Sequence, residues 1–223
     1  MMKYHYQKHV KALLAVDCII FGFNQDNLKI LLIKRDFEPE KGKWSLMGGF
    51  LRPDETLDEA ASRILQKLTG LHDIYLDQLR SFSHPDRDPV DRTVSTAYYA
   101  LINIEEHNKE LTKKHSAEWF NIQDIPALIF DHNDMISQAI NRLRYKASTE
   151  PIGFELLPEK FTMRQLQKLY EAILGQELDK RNFIKKILSL DVLIKLDEKD
   201  MTSSKKGSFL YKFDAEKYDR FKI

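Results

Sequence analysis

Cysteine is nearly absent: Cys18 stands alone in 223 residues. A lone thiol excludes an internal disulfide, and its neighbours Val16, Ile19 and Ile20 make it an apolar strand residue of a protein from a reducing compartment. The chain also lacks any apolar run near the length of a membrane span, so no insertion into a bilayer is expected. Its first residues, MMKYHYQKHVKALLAV, carry a short basic stretch but no small-residue cleavage site. They are read as leading into a strand rather than as a signal peptide, which makes the cytoplasm the expected location. Internal repeats and low-complexity tracts are missing. So is a strong excess of either charge: 35 Lys or Arg against 34 Asp or Glu leave a formal net charge of +1, which argues against nucleic acid. That average conceals an asymmetry. Up to Glu150 there are 20 basic residues against 22 acidic, and from Pro151 onward 15 against 12. The modest positive excess lies at the C-terminal end, where it raises a suspicion of phosphate contacts.

What is present is the composition of a globular protein, 43% hydrophobic and 31% charged, long enough for one large or two modest domains. Leu13 to Phe23 and Leu28 to Arg35 read as strands joined by the turn-forming Asn24-Gln25-Asp26-Asn27. In WSLMGGF the pair Gly48-Gly49 marks a place where the backbone bends or approaches something closely. A helix follows: Thr56 and Glu59 form a capping box, Leu57, Ala60, Ala61, Ile64, Leu65 and Leu68 recur at helical spacing, and Gly70 ends it. Strands are expected over Tyr75 to Ser83, Thr93 to Ile102 and Ala117 to Ile122, then a helix capped by Asp131 or Asn133 and reaching about Lys146. STEPIGFELLPEK breaks all periodicity and reads as a linker anchored by Phe154, Leu156 and Leu157. The remainder changes grammar. A second capping box at Thr162 and Gln165 opens a helix that stops at Gly175, and Asp179 caps another to about Leu190. DVLIKLD and SFLYKFD then alternate as a hairpin. Helix, short turn, helix, hairpin is the order of a winged helix-turn-helix. The expected domains are therefore 1-149, mixed α/β, and 150-223.

The segment GFLRPDETLDEAASRILQKLTGL resembles a Nudix box, with Gly49, Glu55, Arg63, Leu65, Gly70 and Leu71 in register. The resemblance implies a Nudix-fold α/β/α sandwich. Where that family carries glutamates this chain has Ile64, Lys67 and Leu68, spaced to share one helix face. Hard divalent cations need oxygen ligands, which aliphatic side chains do not offer and an ammonium opposes, so the expectation is no enzyme, no metal and no cofactor. Glu55, Asp58 and Glu59 remain near the helix start, where acidic residues favour the dipole and cap, and Arg63 is expected to hold Glu55. HPDRDPVDRTVSTAYYALI resembles a stretch of Nudix regulators and of ADP-ribose pyrophosphatases; its Arg87, Asp88 and Arg92 suit a sugar or sugar phosphate, or simply a charged turn. Arg35, Trp44, Gly48, Gly49 and Phe50 complete the candidate ligand-binding set, the aromatics being equally readable as core.

LLPEKFTMRQLQKLYEAILGQELDKRNFIKKILSL resembles the C-terminal winged helix of the Nudix-related transcriptional regulators. In its second helix Lys180, Arg181, Lys185 and Lys186 supply charge and Asn182 a base-edge donor and acceptor, while Phe183, Ile184, Ile187 and Leu188 can face the core. Arg164 and the loop lysines Lys205 and Lys206 are expected on phosphates. Through DCIIFGF, WSLMGGF, RDP, YYALI and PALIFDH the chain is most similar to the arabinose-responsive Nudix regulators of Bacteroides-type bacteria. A single recognition helix reads only a short site, so a homodimer on palindromic double-stranded DNA is expected, and the resemblance to Nudix regulators implies a small-molecule effector that is a sugar such as arabinose or an ADP-ribose-like nucleotide. Two rivals stay open: an active hydrolase with displaced ligands such as Glu55 and Glu59, and a winged helix that binds a partner protein.

Overall fold

The computed structural model describes residues 8–24, 26–70, 74–105, 117–202 and 206–218. A seven-stranded sheet runs β3 (Trp44–Ser45), β2 (Asn27–Lys34), β1 (Leu13–Asn24), β6 (Thr93–Asn103), β5 (Leu76–Phe82); β4 (Met47–Phe50) pairs with β1 and β7 (Ala117–Asn121) with β2. Only β1 and β6 run parallel, Leu13 opposite Thr93 through Phe23 opposite Asn103. β1 holds the centre because its apolar run is buried on both faces.

Strand alternation sorts its side chains onto two layers. Val16, Cys18 and Ile20 join Tyr98, Ala100 and Ile102 under helix α1 (Leu57–Thr69), whose Ala60, Ala61, Ile64 and Leu65 are buried. Ile19 and Phe21 face the opposite way, onto helix α2 (His132–Thr149) with its buried Met135, Ile136, Ala139 and Leu143. Each such fully buried Leu or Ile side chain contributes about 1.5 to 3 kcal/mol, so both helices are fixed by their apolar stripes. α1 carries its full capping box and ends at Gly70 in the left-handed region. α2 begins after Asp131, whose side chain makes no cap bond because Arg87 holds it; the expected capping role of that carboxylate is replaced by an ion pair.

The segment after α2 is not a solvated linker. Pro151, Ile152, Gly153 and Phe154 are buried, and a 3-10 turn at Phe154–Leu156 presses Phe154 against Phe213 at 4.0 Å between ring centroids. β8 (Lys160–Thr162), α3 (Met163–Leu174), α4 (Lys180–Ser189), β9 (Leu193–Asp200), β10 (Ser208–Phe213) and a short α5 (Ala215–Tyr218) complete the fold, with sheet order β8-β10-β9. The hydrophobic cluster of the α2 layer continues without a break into Leu166, Leu169, Ile173, Phe183 and Ile187 of this second unit.

Candidate effector cleft and nucleic-acid interface

A cleft enclosing about 140 Å³ opens on the α2 side of the sheet, between the start of β1, the strand β4, the 87–93 loop and the turn into α2. Six of the eight residues expected from the sequence line it: Arg35, Gly48, Gly49, Phe50, Arg87 and Asp88. Gly48 and Gly49 do not bend the chain, since both lie in β4 and neither has positive φ. Gly48 serves close approach instead: a Cβ there would stand 2.1 Å from Asp17 Oδ1. Two residues fall elsewhere. Trp44 packs edge-on against Phe120 at 4.8 Å beneath the Lys34 ammonium, because β3 turns it toward β7. Arg92 donates to the carbonyls of Ser83, His84 and Thr93 and so braces its own loop.

The floor is built by Arg87 together with Asp17 and His132, which the sequence reading passed over. Asp17 is 7% exposed, and its Oδ2 accepts from Ser95 Oγ at 2.6 Å. Arg87 is 6% exposed; it donates through Nε and Nη2 to both oxygens of Asp131 at 2.9 and 2.8 Å, and stands 3.7 Å from Asp17 Oδ2. His132 Nδ1 accepts the Leu46 N–H at 3.1 Å, so the Nδ1 lone pair is taken and the neutral ring carries its proton on Nε2, 3.8 Å from Asp17 Oδ1. Burial holds the imidazole pKa below its ordinary value, against the opposing pull of Asp17 and Asp131. Ser45 Oγ lies 3.5 Å from that same Nδ1 but donates to Leu46 O, leaving the trio Ser45, His132 and Asp17 without a base for nucleophilic chemistry. Phe130 takes a left-handed φ of 51°, a strained backbone for a bulky residue. Its ring stands 5.8 Å from His132 and 5.6 Å from the guanidinium of Arg35, which also stacks on Phe37 at 3.8 Å. One signal could have found the floor: Asp17 is the sole charge within the apolar run LLAVDCIIF, and carboxylates are seldom buried without a task.

Among the described residues none that lines the cleft comes from α1. On that helix Ile64 is 3% exposed, and its Cδ1 lies 3.4 Å from where a Gly49 Cβ would be; it fills the space under β4 as core. Lys67 is exposed, and the side chain of Leu68 lies outside the described residues, as does Leu71. Glu55 accepts from Arg63 Nε at 2.8 Å, from Arg63 Nη2 at 2.5 Å and from the Arg52 N–H at 2.8 Å; chiefly the Arg63 bonds hold its carboxyl at about 2. Glu59 Oε2 accepts from the Thr56 N–H and Oγ1. The box positions Ile64 and Lys67 offer a divalent cation no oxygen, and the carboxylates that remain at the helix start already accept from Arg63, Arg52 and Thr56, so the residues present do not fit the metal that the fold family implies. Among the described residues no group of three or more His, Cys, Asp or Glu is placed to hold one.

At the other end of the chain, Lys180, Arg181, Asn182 and Lys185 form an exposed polar face of α4, with Asp179 capping the helix through the Asn182 N–H at 2.8 Å. Phe183 and Ile187 are buried as expected, but Leu188 is 48% exposed on the outer side. Two of the expected basic residues, both exposed, also have a place within the chain. Lys186 donates to Ser148 O at 3.1 Å and so ties α4 to the end of α2. Arg164, exposed, lines a cavity of about 510 Å³ between Phe23 and Asp26 of the first unit and Asp200 and Thr202 of the wing. Lys205 lies outside the described residues; Lys206 is exposed. The wing adds a pair not anticipated, Lys195 and Lys199 over Phe209 at 3.7 and 4.7 Å.

Residues 11–139 match the NUDIX domain model and residues 153–213 the NrtR DNA-binding winged helix domain. The ADPR responsive transcriptional repressor NtrR of Acinetobacter baylyi is 35% identical over 96% of this chain and 88% of its own length. The crystal structure of Shewanella oneidensis NrtR complexed with a 27mer DNA superposes with a TM-score of 0.83 at 28% identity, covering 92% of this chain and 95% of that one. The Nudix domain of the same protein complexed with ADP ribose gives 0.53 at 29%, over 64% of this chain and 97% of that one. Nudix fold, winged helix and near full-length match together place the chain in the family of NrtR-type regulators, in which a Nudix domain is followed by a DNA-binding winged helix.

Proposed function

We propose that this protein is a ligand-responsive transcriptional regulator whose Nudix domain, 1-149, senses an effector through a pentose unit and whose winged helix, 150-223, holds operator DNA. The observation that carries the reading is the course of α2. Its first turn belongs to the cleft through Asp131 and His132, and farther along, about 18 Å from His132 by helix rise at Arg144 and about 24 Å at Ser148, Arg144 Nε donates to Ile173 O of α3 and Ser148 O accepts from Lys186 of α4. An effector that favours one placement of α2 thereby favours one placement of the exposed basic face of α4. A single recognition helix reads a short site, so the regulator acts as a homodimer on a palindromic operator.

The effector class follows from similarity and from size. The relative that spans nearly the whole chain is ADPR responsive, which supports an ADP-ribose-type nucleotide. The small, half-open cleft of about 140 Å³ supports a second reading, a free pentose such as arabinose. A nucleotide must therefore extend over the rim past Phe37 and Phe50, both more than half exposed. Fragments selected from genomic DNA would define the operator, and fluorescence anisotropy with that operator separates the readings: ADP-ribose, arabinose or both shift the titration. No shift with either rejects the effector class, and no retained DNA rejects the regulator. Lys185→Ala lowers the slope of log affinity against log salt by about 1.

The domain is proposed to have no hydrolase activity, since Ile64 and Lys67 offer no carboxylate and Glu55 and Glu59 are already bonded. AMP release from ADP-ribose with magnesium is expected to equal the blank; release that Glu55→Gln abolishes would reverse this reading.

A further inference from the structure

Resting on the effector reading above, we infer that Asp17 determines what the cleft accepts: its open Oδ1 takes hydroxyl donors of an uncharged polyol, the pentose ring, and keeps phosphate off the floor. The charge inventory comes first. Asp17, Asp36 and Asp88 line the cleft against Arg35 and Arg87, and Arg87 is already matched by a two-bond pair with Asp131. His132 is neutral at physiological pH, its Nδ1 being held by the Leu46 N–H. Among the described lining residues Arg35 is thus the cation left without a carboxylate pair, and it sits at the rim on Phe37 and Phe130. A phosphate on the floor would meet carboxylates and no free positive charge.

Geometry then selects the group that fits. Asp17 is over nine-tenths buried with Oδ2 bonded to Ser95, yet Oδ1 accepts no hydrogen bond among the described residues. His132 Nε2 lies 3.8 Å from Oδ1, too far for a direct bond. A hydroxyl seated between them donates to Oδ1 and accepts from Nε2–H, using both of its capacities, whereas an ionised phosphate oxygen only accepts and cannot satisfy Asp17. Gly48 is what lets Oδ1 stand here, because a Cβ at that position would lie 2.1 Å from it. A nucleotide effector would then enter ribose first, with its phosphates outward at Arg35; a free sugar would fill the floor alone.

Calorimetry on the full chain decides the matter with four probes: L-arabinose, D-ribose, ADP-ribose and inorganic pyrophosphate. At least one pentose compound is expected to bind at least tenfold more tightly than pyrophosphate. Asp17→Asn, with melting temperature as the folding control, is expected to weaken that compound at least tenfold and to leave pyrophosphate unchanged or tighter. Should the variant not fold, deoxy analogues of the binding sugar on the unaltered protein serve instead, loss of one hydroxyl costing at least tenfold. Pyrophosphate binding as tightly as the sugar, unaltered sugar affinity in Asp17→Asn, equal binding of every deoxy analogue, or no binding by any probe would each overturn the inference. Operator affinity measured alongside shows whether the regulator reading survives that failure.

Discussion

The two helices that flank the sheet have exchanged importance. α1 carries the Nudix box, and there every acidic group with a stated geometry is satisfied locally: Glu55 by Arg63, Glu59 by the cap, and Asp58 by the Tyr98 hydroxyl at 2.5 Å. α2 lies outside the box, yet its first residues, which close the segment PALIFDH, help build the cleft floor and its last ones hold α3 and α4. A motif marks where a family's chemistry sits only while its donors are free. Where they are engaged at home, as on α1, the cleft proposed for the effector lies on the opposite face of the same sheet.

Breaking the α2 side should cost most. Arg87→Ala leaves Asp131 and Asp17 without their buried cation and is expected to destabilise the fold by about 3 to 5 kcal/mol in urea unfolding; a loss below about 1 kcal/mol would mean that the pair is solvated. On α1, Ile64→Glu restores the carboxylate of the box but places it at a position 3% exposed. The expected loss is roughly 2 to 4 kcal/mol in metal-free buffer, since a buried carboxyl must either stay protonated or lose its hydration. A neutral result would show that α1 still has room for charge. Smaller again, Arg144→Ala and Lys186→Ala each remove one hydrogen bond to a carbonyl, about 0.5 to 1.5 kcal/mol of stability. Their larger effect is expected in the anisotropy assay, as a diminished effector response at unchanged effector affinity; an intact response in the double variant would remove α2 from the coupling.

The smallest effect vanishes at neutral pH. His132 has a folded pKa below its unfolded 6.5, so the unfolded chain binds the proton more readily and stability is lost as pH falls below that value. Urea titrations at pH 8 and pH 5 should show a decline that His132→Gln flattens. An equal decline in the variant would assign the acid sensitivity to other groups.

The helix boundaries show how much could be read in advance and why. Both capping boxes, the Gly70 and Gly175 stops and the apolar strand runs of β1 and β6 were legible because each is decided within a few residues by local hydrogen bonding and composition. Trp44 and Arg92 were misplaced because an aromatic or an arginine beside a motif is compatible with a ligand, a core or a loop brace, and nothing local chooses among them. Asp17 was passed over because its meaning depends on partners 78 residues away at Ser95 and, through Arg87, on Asp131 a further 44 along.

By itself the amino-acid sequence determined the element order, the two-part organisation and the loss of carboxylates from the Nudix helix, since these follow from spacing and side-chain chemistry along the chain. Only the tertiary structure decided that Lys186 bonds to the end of α2, that Arg164 lines a cavity between the two units, that the linker is core, and that an open carboxylate lies under Gly48. The physical reason is that a charge or a glycine takes its role from what the fold brings within about 4 Å of it, and Coulomb and hydrogen-bond energies fall off over distances that sequence separation does not measure.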